Sequence, residues 1–198
     1  MMPMTKSELA EYVKTVQHAL PRRDETIARP ILIAITGLPG TGKSYLARQI
    51  TLRMPAIIIE SDFVRKTLIP QPNYTGAESA LIHQVAFALI ERLLTSNCRV
   101  ISDATNLLEK HRERLRQLAK KTRSQFILIH TTAPDEIVRE RLRQRFVARD
   151  PLDRSDANYA VHLMLKREME PIRAPHLIVD TSANLDAAVA KILRMIAS

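Results

Sequence analysis

The chain is short of three things, and each shortage narrows what it can be. It has one cysteine, Cys98, in 198 residues. No internal disulfide framework can form, which points to a reducing compartment. It has no apolar run near the roughly 18 residues that cross a bilayer. Its opening stretch, MMPMTKSELAEYVKTVQHAL, carries charges of both signs and lacks the apolar centre of a secretory leader. The expectation is a soluble cytoplasmic protein with no membrane contact and no obligate protein partner. Glycine is the third shortage: there are four, and three of them are Gly37, Gly40 and Gly42.

What is plentiful is positive charge. Lys and Arg number 30 against 21 Asp and Glu, a formal net charge of +9. Such a chain attracts polyanions through its long-range field, and nucleotides, nucleic acids and acidic membranes all qualify. Much of the charge lies in KHRERLRQLAKKTR and RERLRQR, which also read as solvated helix faces. The length suits one α/β domain that buries roughly 70% of its unfolded surface.

Residues 5–20 have helical periodicity, with Leu9, Val13, Val16 and Leu20 on one face and a Thr5/Glu8 capping box. A connector bounded by two prolines follows, so 1–30 are expected to form an extra helix packed on a domain spanning 31–198. From Ile31 onward, short apolar runs alternate with helical patterns. Strands are expected at 31–36, 56–60, 99–103, 125–131 and 176–181. Helices are expected at 43–53, 78–96, 107–122, 135–148 and 185–197. Apolar strands without polar alternation belong to sheets covered on both faces. Strand–helix alternation implies parallel strands with right-handed crossovers. The fold class is therefore α/β, three layers around a five-stranded parallel sheet.

Gly37, Leu38, Pro39, Gly40, Thr41, Gly42, Lys43 and Ser44, followed by Tyr45, fit G-x-x-x-x-G-K-[ST] between a buried strand and a helix. Glycines let backbone N–H groups converge on a phosphate, and the helix N-terminus adds its positive end. Lys43 can reach the β- and γ-phosphates, and Ser44 can offer its hydroxyl to Mg²⁺. The expected small-molecule partners are thus ATP and Mg²⁺. Asp103, at the end of a neighbouring strand, is the expected second metal group.

A phosphate loop is common to switches, motors and transferases. Switch GTPases need D-x-x-G and N-K-x-D, and the chain has neither. A transporter-type ATPase needs a glycine-rich signature, and the glycines are used up. A late arginine-rich helix points instead to kinases in which a lid, here about 134–155, closes over the phosphates. Arg141 and Arg145 are four apart and share a helix face; Arg139 and Arg143 point elsewhere.

The acceptor side should follow the second strand. Asp62 in IIIESDFVRKTL can take the proton of an attacking hydroxyl, and Arg65 can bind an anion on the acceptor. The competing reading makes Ser61 or Asp62 a helix cap. Thr105 and Asn106 are expected to line the acceptor site, although Asn106 with Glu109 also fits a capping box, the favoured reading for Asn106. Arg112 or Arg114 is a further substrate contact. His83 and Gln84 lie in an apolar helix, and His83 reads as a core histidine.

Together GLPGTGKSYLAR, ESDFVRKTL, VISDATNL and RERLRQR resemble P-loop kinases related to the kinase domain of bacteriophage polynucleotide kinase. That group also holds zeta-toxin-like and chloramphenicol-phosphotransferase-like kinases. The resemblance runs from about Ile31 to Thr181. It implies strand order 2-3-1-4-5, Asp62 as general base, Arg65 on an acceptor phosphate, Arg141 and Arg145 as lid arginines, and Thr181 and Ser182 beside the adenine. A two-domain end-healing enzyme with an added phosphatase domain is not the expectation, and VARDPLDRSDANYAVHLMLKREMEP offers no distinct acceptor motif. The expected function is ATP- and Mg²⁺-dependent phosphoryl transfer to a hydroxyl, first a 5′-hydroxyl of a nucleic acid or nucleotide. The alternatives are a sugar, antibiotic or metabolite, and a regulatory ATPase with no acceptor.

Overall fold

The computed structural model describes residues 4–21, 27–148 and 155–197. Its centre is β1 (Ile31–Thr36), a six-residue strand buried at every position. Ile, Leu and Ala without polar alternation suit a strand covered on both faces. Four more strands join it: β2 (Ile57–Glu60), β3 (Arg99–Asp103), β4 (Gln125–Thr132) and β5 (Leu177–Asp180). All pairs are parallel, in the order β2-β3-β1-β4-β5. This is the expected order.

Register decides where chemistry can occur. Asp103 is level with Ile35 of β1 and with Glu60 of β2. The loops leaving β1, β2 and β3 therefore open on one edge, the carboxyl edge, where ligands bind in open α/β sheets.

The helices are α1 (Lys6–Ala19), α2 (Lys43–Thr51), α3 (Ser61–Leu68), α4 (Gly76–Thr95), α5 (Glu109–Lys121), α6 (Asp135–Ala148), α7 (Tyr159–Glu168) and α8 (Asp186–Ala197). They divide the core in two. On one face of the sheet, Val64, Ile82, Val85, Leu89 and Leu115 pack on Leu32, Ala34 and Val100. On the other, Leu46, Ile50, Val189 and Ile192 pack on Ile31, Ile33 and Ile35. Each fully buried aliphatic side chain contributes about 1.5–3 kcal/mol relative to exposure.

The Thr5 box is present: Glu8 N–H donates to Thr5 Oγ1 at 3.2 Å, and Thr5 N–H donates to Glu8 Oε2 at 2.8 Å. Val13 and Val16 of α1 join the same cluster as α4. Strand and helix ends differ from the expected ones by a residue or two, the ordinary fraying of boundaries.

Two helix starts differ in kind. Asn106 does not cap α5; it has φ 46°, and the N-cap is Leu108 without a side-chain bond. The N–H of Glu109 is instead met by Glu170 Oε2 at 2.5 Å, 61 residues away in sequence. Glu109 in turn reaches forward to Arg112 rather than back to a cap. Helix α7 was not expected at all. Its buried residue is His162, while Leu163 and Met164 are exposed, so it shows no apolar stripe. The part of the expected lid at 149–154 lies outside the described residues.

Candidate active site

The phosphate loop runs from β1 into α2, and its neighbours force its shape. Gly42 has φ 77°, and a Cβ there would sit 2.7 Å from Thr181 Oγ1. Gly40 has φ 82°, and its Cβ would meet Val138 at 2.9 Å and Leu142 at 3.0 Å. Only glycine allows both the left-handed backbone and these close approaches. Helix α6 and the turn after β5 thus grip the loop from two sides. His162 of α7 adds a third hold, its Nδ1 lying 2.8 Å from Pro39 O.

A cleft of about 500 Å³ opens beside this loop. Gly40, Gly42, Lys43, Ser44, Tyr45, Asp62, Asp103, Thr105, Arg141 and Arg145 all line it. The sequence separates these residues by up to 105 positions, and the sheet register brings them to one edge. Pro39 belongs to the wall as well. Lys43 Nζ donates to Leu38 O at 3.1 Å, which holds the ammonium over the loop.

Asp62 stands in the first turn of α3. The N-cap of that helix is Glu60, so neither Ser61 nor Asp62 is engaged in capping. Burial pushes the Asp62 carboxyl above the usual range, and Asp103 adds to the rise. The Ser155 hydroxyl, Lys43 and Arg65 oppose it. Ser155, from the segment between α6 and α7, lines the same cleft. A carboxylate in a cleft beside a phosphate loop is of the kind that can remove a proton from a hydroxyl acceptor.

Asp103 is nearly fully buried and faces the same cleft as Ser44. Hydroxyl and carboxylate oxygens are hard donors of the kind Mg²⁺ takes. No group of three or more His, Cys, Asp or Glu with ligand spacing exists among the described residues. Ser44 and Asp103 offer oxygens of that kind in one cleft.

Several expected contacts take other roles. Thr181 is buried; its hydroxyl donates to Thr41 O at 2.9 Å and accepts from Arg141 at 2.8 Å. It braces the phosphate loop instead of edging a base. Leu38 and Thr41 turn their side chains away from the cleft, and Thr41 Oγ1 is bonded to Leu38 O and Thr131 Oγ1. Gly37 is tied to the turn after β3, its N–H donating to Thr105 O at 3.2 Å. Asn106 is 2% exposed, and its amide donates to Ile35 O at 3.1 Å, so it locks that turn and does not face an acceptor.

Arg65 is buried and held by Glu78 and Ser79, both at 3.3 Å, with its guanidinium 4.8 Å from the Tyr74 ring centre. Glu78 offsets part of its charge, while its Nε is buried without a hydrogen-bond partner; Arg65 is not among the residues lining the cleft. Arg112 is 1% exposed and donates to the carbonyls of Asn106, Leu107, Glu170 and Pro171 at 2.6–3.0 Å. It stitches the β3–α5 turn to the segment after α7. Arg114 is exposed on α5. Arg139 and Arg143 pair on the surface of α6 with Asp135 and Glu140, as solvated companions should. The His83 ring lies tilted against His111, 4.0 Å between centres, between α4 and α5 and outside the cleft.

Glu60, Arg48, Gln144 and Ser155 also line the cleft and were missed. Glu60 was legible as the last residue of a strand beside Asp103. Ser155 had no signal, because only the fold brings it to the cleft.

Fold and loop together define a P-loop α/β protein. Residues 32–172 match the family described as AAA domain, and the chain belongs to that family. It is 28% identical over 116 residues to the L-seryl-tRNA(Sec) kinase of Methanococcus maripaludis, an overlap covering 56% of this chain and 44% of that relative. The chain thus spans less than half the length of that curated protein. Solved structures share the fold. The Mycobacterium tuberculosis APS kinase CysC, in complex with AMPPNP and APS, superposes with TM-score 0.65 at 17% identity, over 86% of this chain and 99% of that one. Chaetomium thermophilum Kti12, in complex with ADP-AlF3, gives 0.63 at 21% identity over 83% and 96%. A gluconokinase from Sinorhizobium meliloti gives 0.59 at 20% identity over 85% and 92%. No helix among the described residues is long and apolar enough to cross a membrane.

Proposed function

We propose that the protein is an ATP- and Mg²⁺-dependent phosphotransferase that moves the γ-phosphate to a hydroxyl. The observation that carries this reading is the Asp62 carboxylate lining one cleft with Lys43 and Ser44 of the phosphate loop and with Asp103. The loop amides and Lys43 hold the phosphates. Mg²⁺ held by Ser44 and Asp103 would neutralise phosphate charge. Asp62 orients the acceptor hydroxyl and takes its proton. Arg145 and Arg141, on the lid helix, stabilise the charge that spreads over the phosphoryl oxygens. Kinases among the named relatives favour the same reaction class. In this reading the protein works in the cytoplasm, and residues 31–198 form the kinase domain.

Two acceptor classes have support. The +9 charge and the resemblance to the bacteriophage polynucleotide kinase domain favour a 5′-hydroxyl of a nucleic acid or nucleotide. The pairing of Arg65 with Glu78 favours an acceptor that carries no phosphate at that position, such as a sugar, a seryl group or another metabolite alcohol. A regulatory ATPase with no acceptor would leave Asp62 without a task.

The test is a transfer screen with γ-labelled ATP across oligonucleotides, nucleosides, sugars, antibiotics and seryl-tRNA, with Lys43→Met as control. Transfer to one class, lost in the control, is the expected outcome. Steady ATP hydrolysis with no labelled product from any class would overturn the kinase reading. Loss of acceptor affinity with rising salt would mark a polyanion, and a flat response a small molecule.

A further inference from the structure

The phosphate loop contains a turn with two settings. Thr41 N–H donates to Leu38 O at 3.3 Å, which closes Leu38, Pro39, Gly40 and Thr41 into a β-turn. Proline in its second place and a glycine with φ 82° in its third mark it as type II. Type I differs mainly in the middle peptide, Pro39–Gly40, where ψ before it and φ after it each change by roughly 150–170°. For a ligand, the difference is one of direction. In a planar trans peptide the C=O and the N–H point opposite ways. Where Pro39 O points therefore decides where Gly40 N–H points.

Pro39 O is held from behind the loop. His162 Nδ1 lies 2.8 Å from it, and a carbonyl oxygen only accepts, so Nδ1 carries the proton and donates. His162 is 2% exposed and is the one buried residue of α7. Its ring is set by Tyr159, stacked at 5.7 Å and 9°. Tyr159 is fixed in turn: its hydroxyl donates to Asp135 Oδ2 at 2.7 Å, and the Arg139 guanidinium lies 4.7 Å from its ring centre. His162 is not among the residues lining the cleft; it borders a second cavity, of about 270 Å³, with Leu38, Thr41, His130 and Lys166. The carbonyl is thus drawn to the side of α7, and the Gly40 N–H is aimed the other way. Resting on the nucleotide-binding part of the reading above, we propose that His162 is a positioning residue for the phosphate loop. It holds the Pro39–Gly40 peptide in the type II setting and so aims the Gly40 N–H at a bound phosphate. Without the donor that peptide is free to turn over, and the loop loses one of its convergent N–H groups.

The test measures ADP and ATP dissociation constants, with Mg²⁺, on the purified full chain and three variants. His162→Phe keeps a ring against Tyr159 but has no donor. It is expected to weaken both nucleotides by about 3- to 10-fold, the worth of one buried hydrogen bond. His162→Asn carries an amide nitrogen at the same reach as Nδ1 and should bind within about 2-fold of the parent. His162→Ala should bind as weakly as His162→Phe, and added imidazole should restore it, because the adjoining cavity opens onto the vacated space. Imidazole should not help His162→Phe, whose ring fills that space. Parent-like binding by His162→Phe or His162→Ala overturns the proposal. Binding by His162→Asn as weak as by His162→Phe overturns it too, and so does a His162→Ala that imidazole leaves weak. If His162→Phe fails to fold, the imidazole response of His162→Ala decides. A parent that binds neither nucleotide removes the reading on which the proposal rests. A parent that binds both, with His162→Phe equal to it, removes only the role of His162.

Discussion

The guanidinium of Arg141 donates to both oxygens of Thr181, at 2.8 Å to Oγ1 and 2.7 Å to the carbonyl. Thr181 Oγ1 passes the tie on to Thr41 O at 2.9 Å. Helix α6, the end of β5 and the phosphate loop are thereby one hydrogen-bonded unit. A charged donor on a partly buried pair contributes about 1.5–3 kcal/mol. Arg141→Ala is expected to cost roughly that much and Thr181→Val about 1 kcal/mol. The double variant should cost less than their sum, because one bond is counted in both. Denaturant melts of the four proteins measure it, and strict additivity would sink the idea of a shared tie.

Under the proposed phosphotransferase reading, Asp62 links catalysis to stability. Burial, the leading cause, raises its carboxyl above the ordinary value of 3.8. Between the ordinary and raised values the folded chain binds more protons than the unfolded one. The stability this gives is complete below 3.8 and is lost as pH rises through the raised value. At neutral pH the buried charge is therefore a net burden. Asp62→Asn is expected to raise Tm at pH 7 while transfer falls about 10²–10⁴-fold. The Tm gain should vanish below the ordinary carboxylate range. A lower Tm at pH 7 would contradict the assignment.

Arg112 looks like a substrate arginine in sequence and is a structural one in the fold. Its guanidinium satisfies four carbonyls and Glu109. Arg112→Met should destabilise by about 3–5 kcal/mol, since it strips partners from buried groups. Arg114→Ala, on the exposed face, should change stability by less than about 0.5 kcal/mol. Equal effects in urea titrations would refute the distinction.

The close His83–His111 ring contact predicts an acid-sensitive joint between α4 and α5. Burial, then His83, Lys110 and Arg112, push His111 down to about 4 against the opposing Glu170. His83 is also lowered, by burial and by Arg65 and Lys110. An unfolded ring takes its proton near pH 6.5. Stability is thus complete above that value and is lost as pH falls toward 4. His111→Phe keeps a ring against His83 and Phe87 but cannot titrate. It should lose less stability than the parent between pH 7 and pH 5, by on the order of 1 kcal/mol after screening of a half-exposed ring. Parallel pH–stability curves for the two proteins would rule the joint out.

Much of the donor half was legible because its physics is local. A buried strand, three glycines and Lys43-Ser44 are consecutive in the chain, and a phosphate loop is made of consecutive residues. Asp103 was legible for a related reason: a carboxylate ending an apolar strand must lie at the carboxyl edge of the sheet. The acceptor half was less legible because local patterns compete there. Asn106 with Glu109 fits a capping box, yet Glu170 supplies the cap and Asn106 turns to Ile35. Arg65 has motif spacing, yet Glu78 offsets part of its charge. Helix α7 hid because a helix with one buried residue leaves no period to detect.

The sequence by itself determined the α/β class, the strand order through the resemblance it carries, and the loop that grips a phosphate. These follow from hydrophobic period and from contiguous residues, which act without reference to distant partners. Only the tertiary structure decided which charges face the cleft. Arg112 and Arg65 are held by internal partners, Arg145 and Asp62 are not buried out of reach, and Ser155 is carried to the same cleft as Asp62 from 93 positions away. Burial and pairing set whether a charged side chain serves the fold or a ligand, and both are properties of neighbours that the chain order does not name.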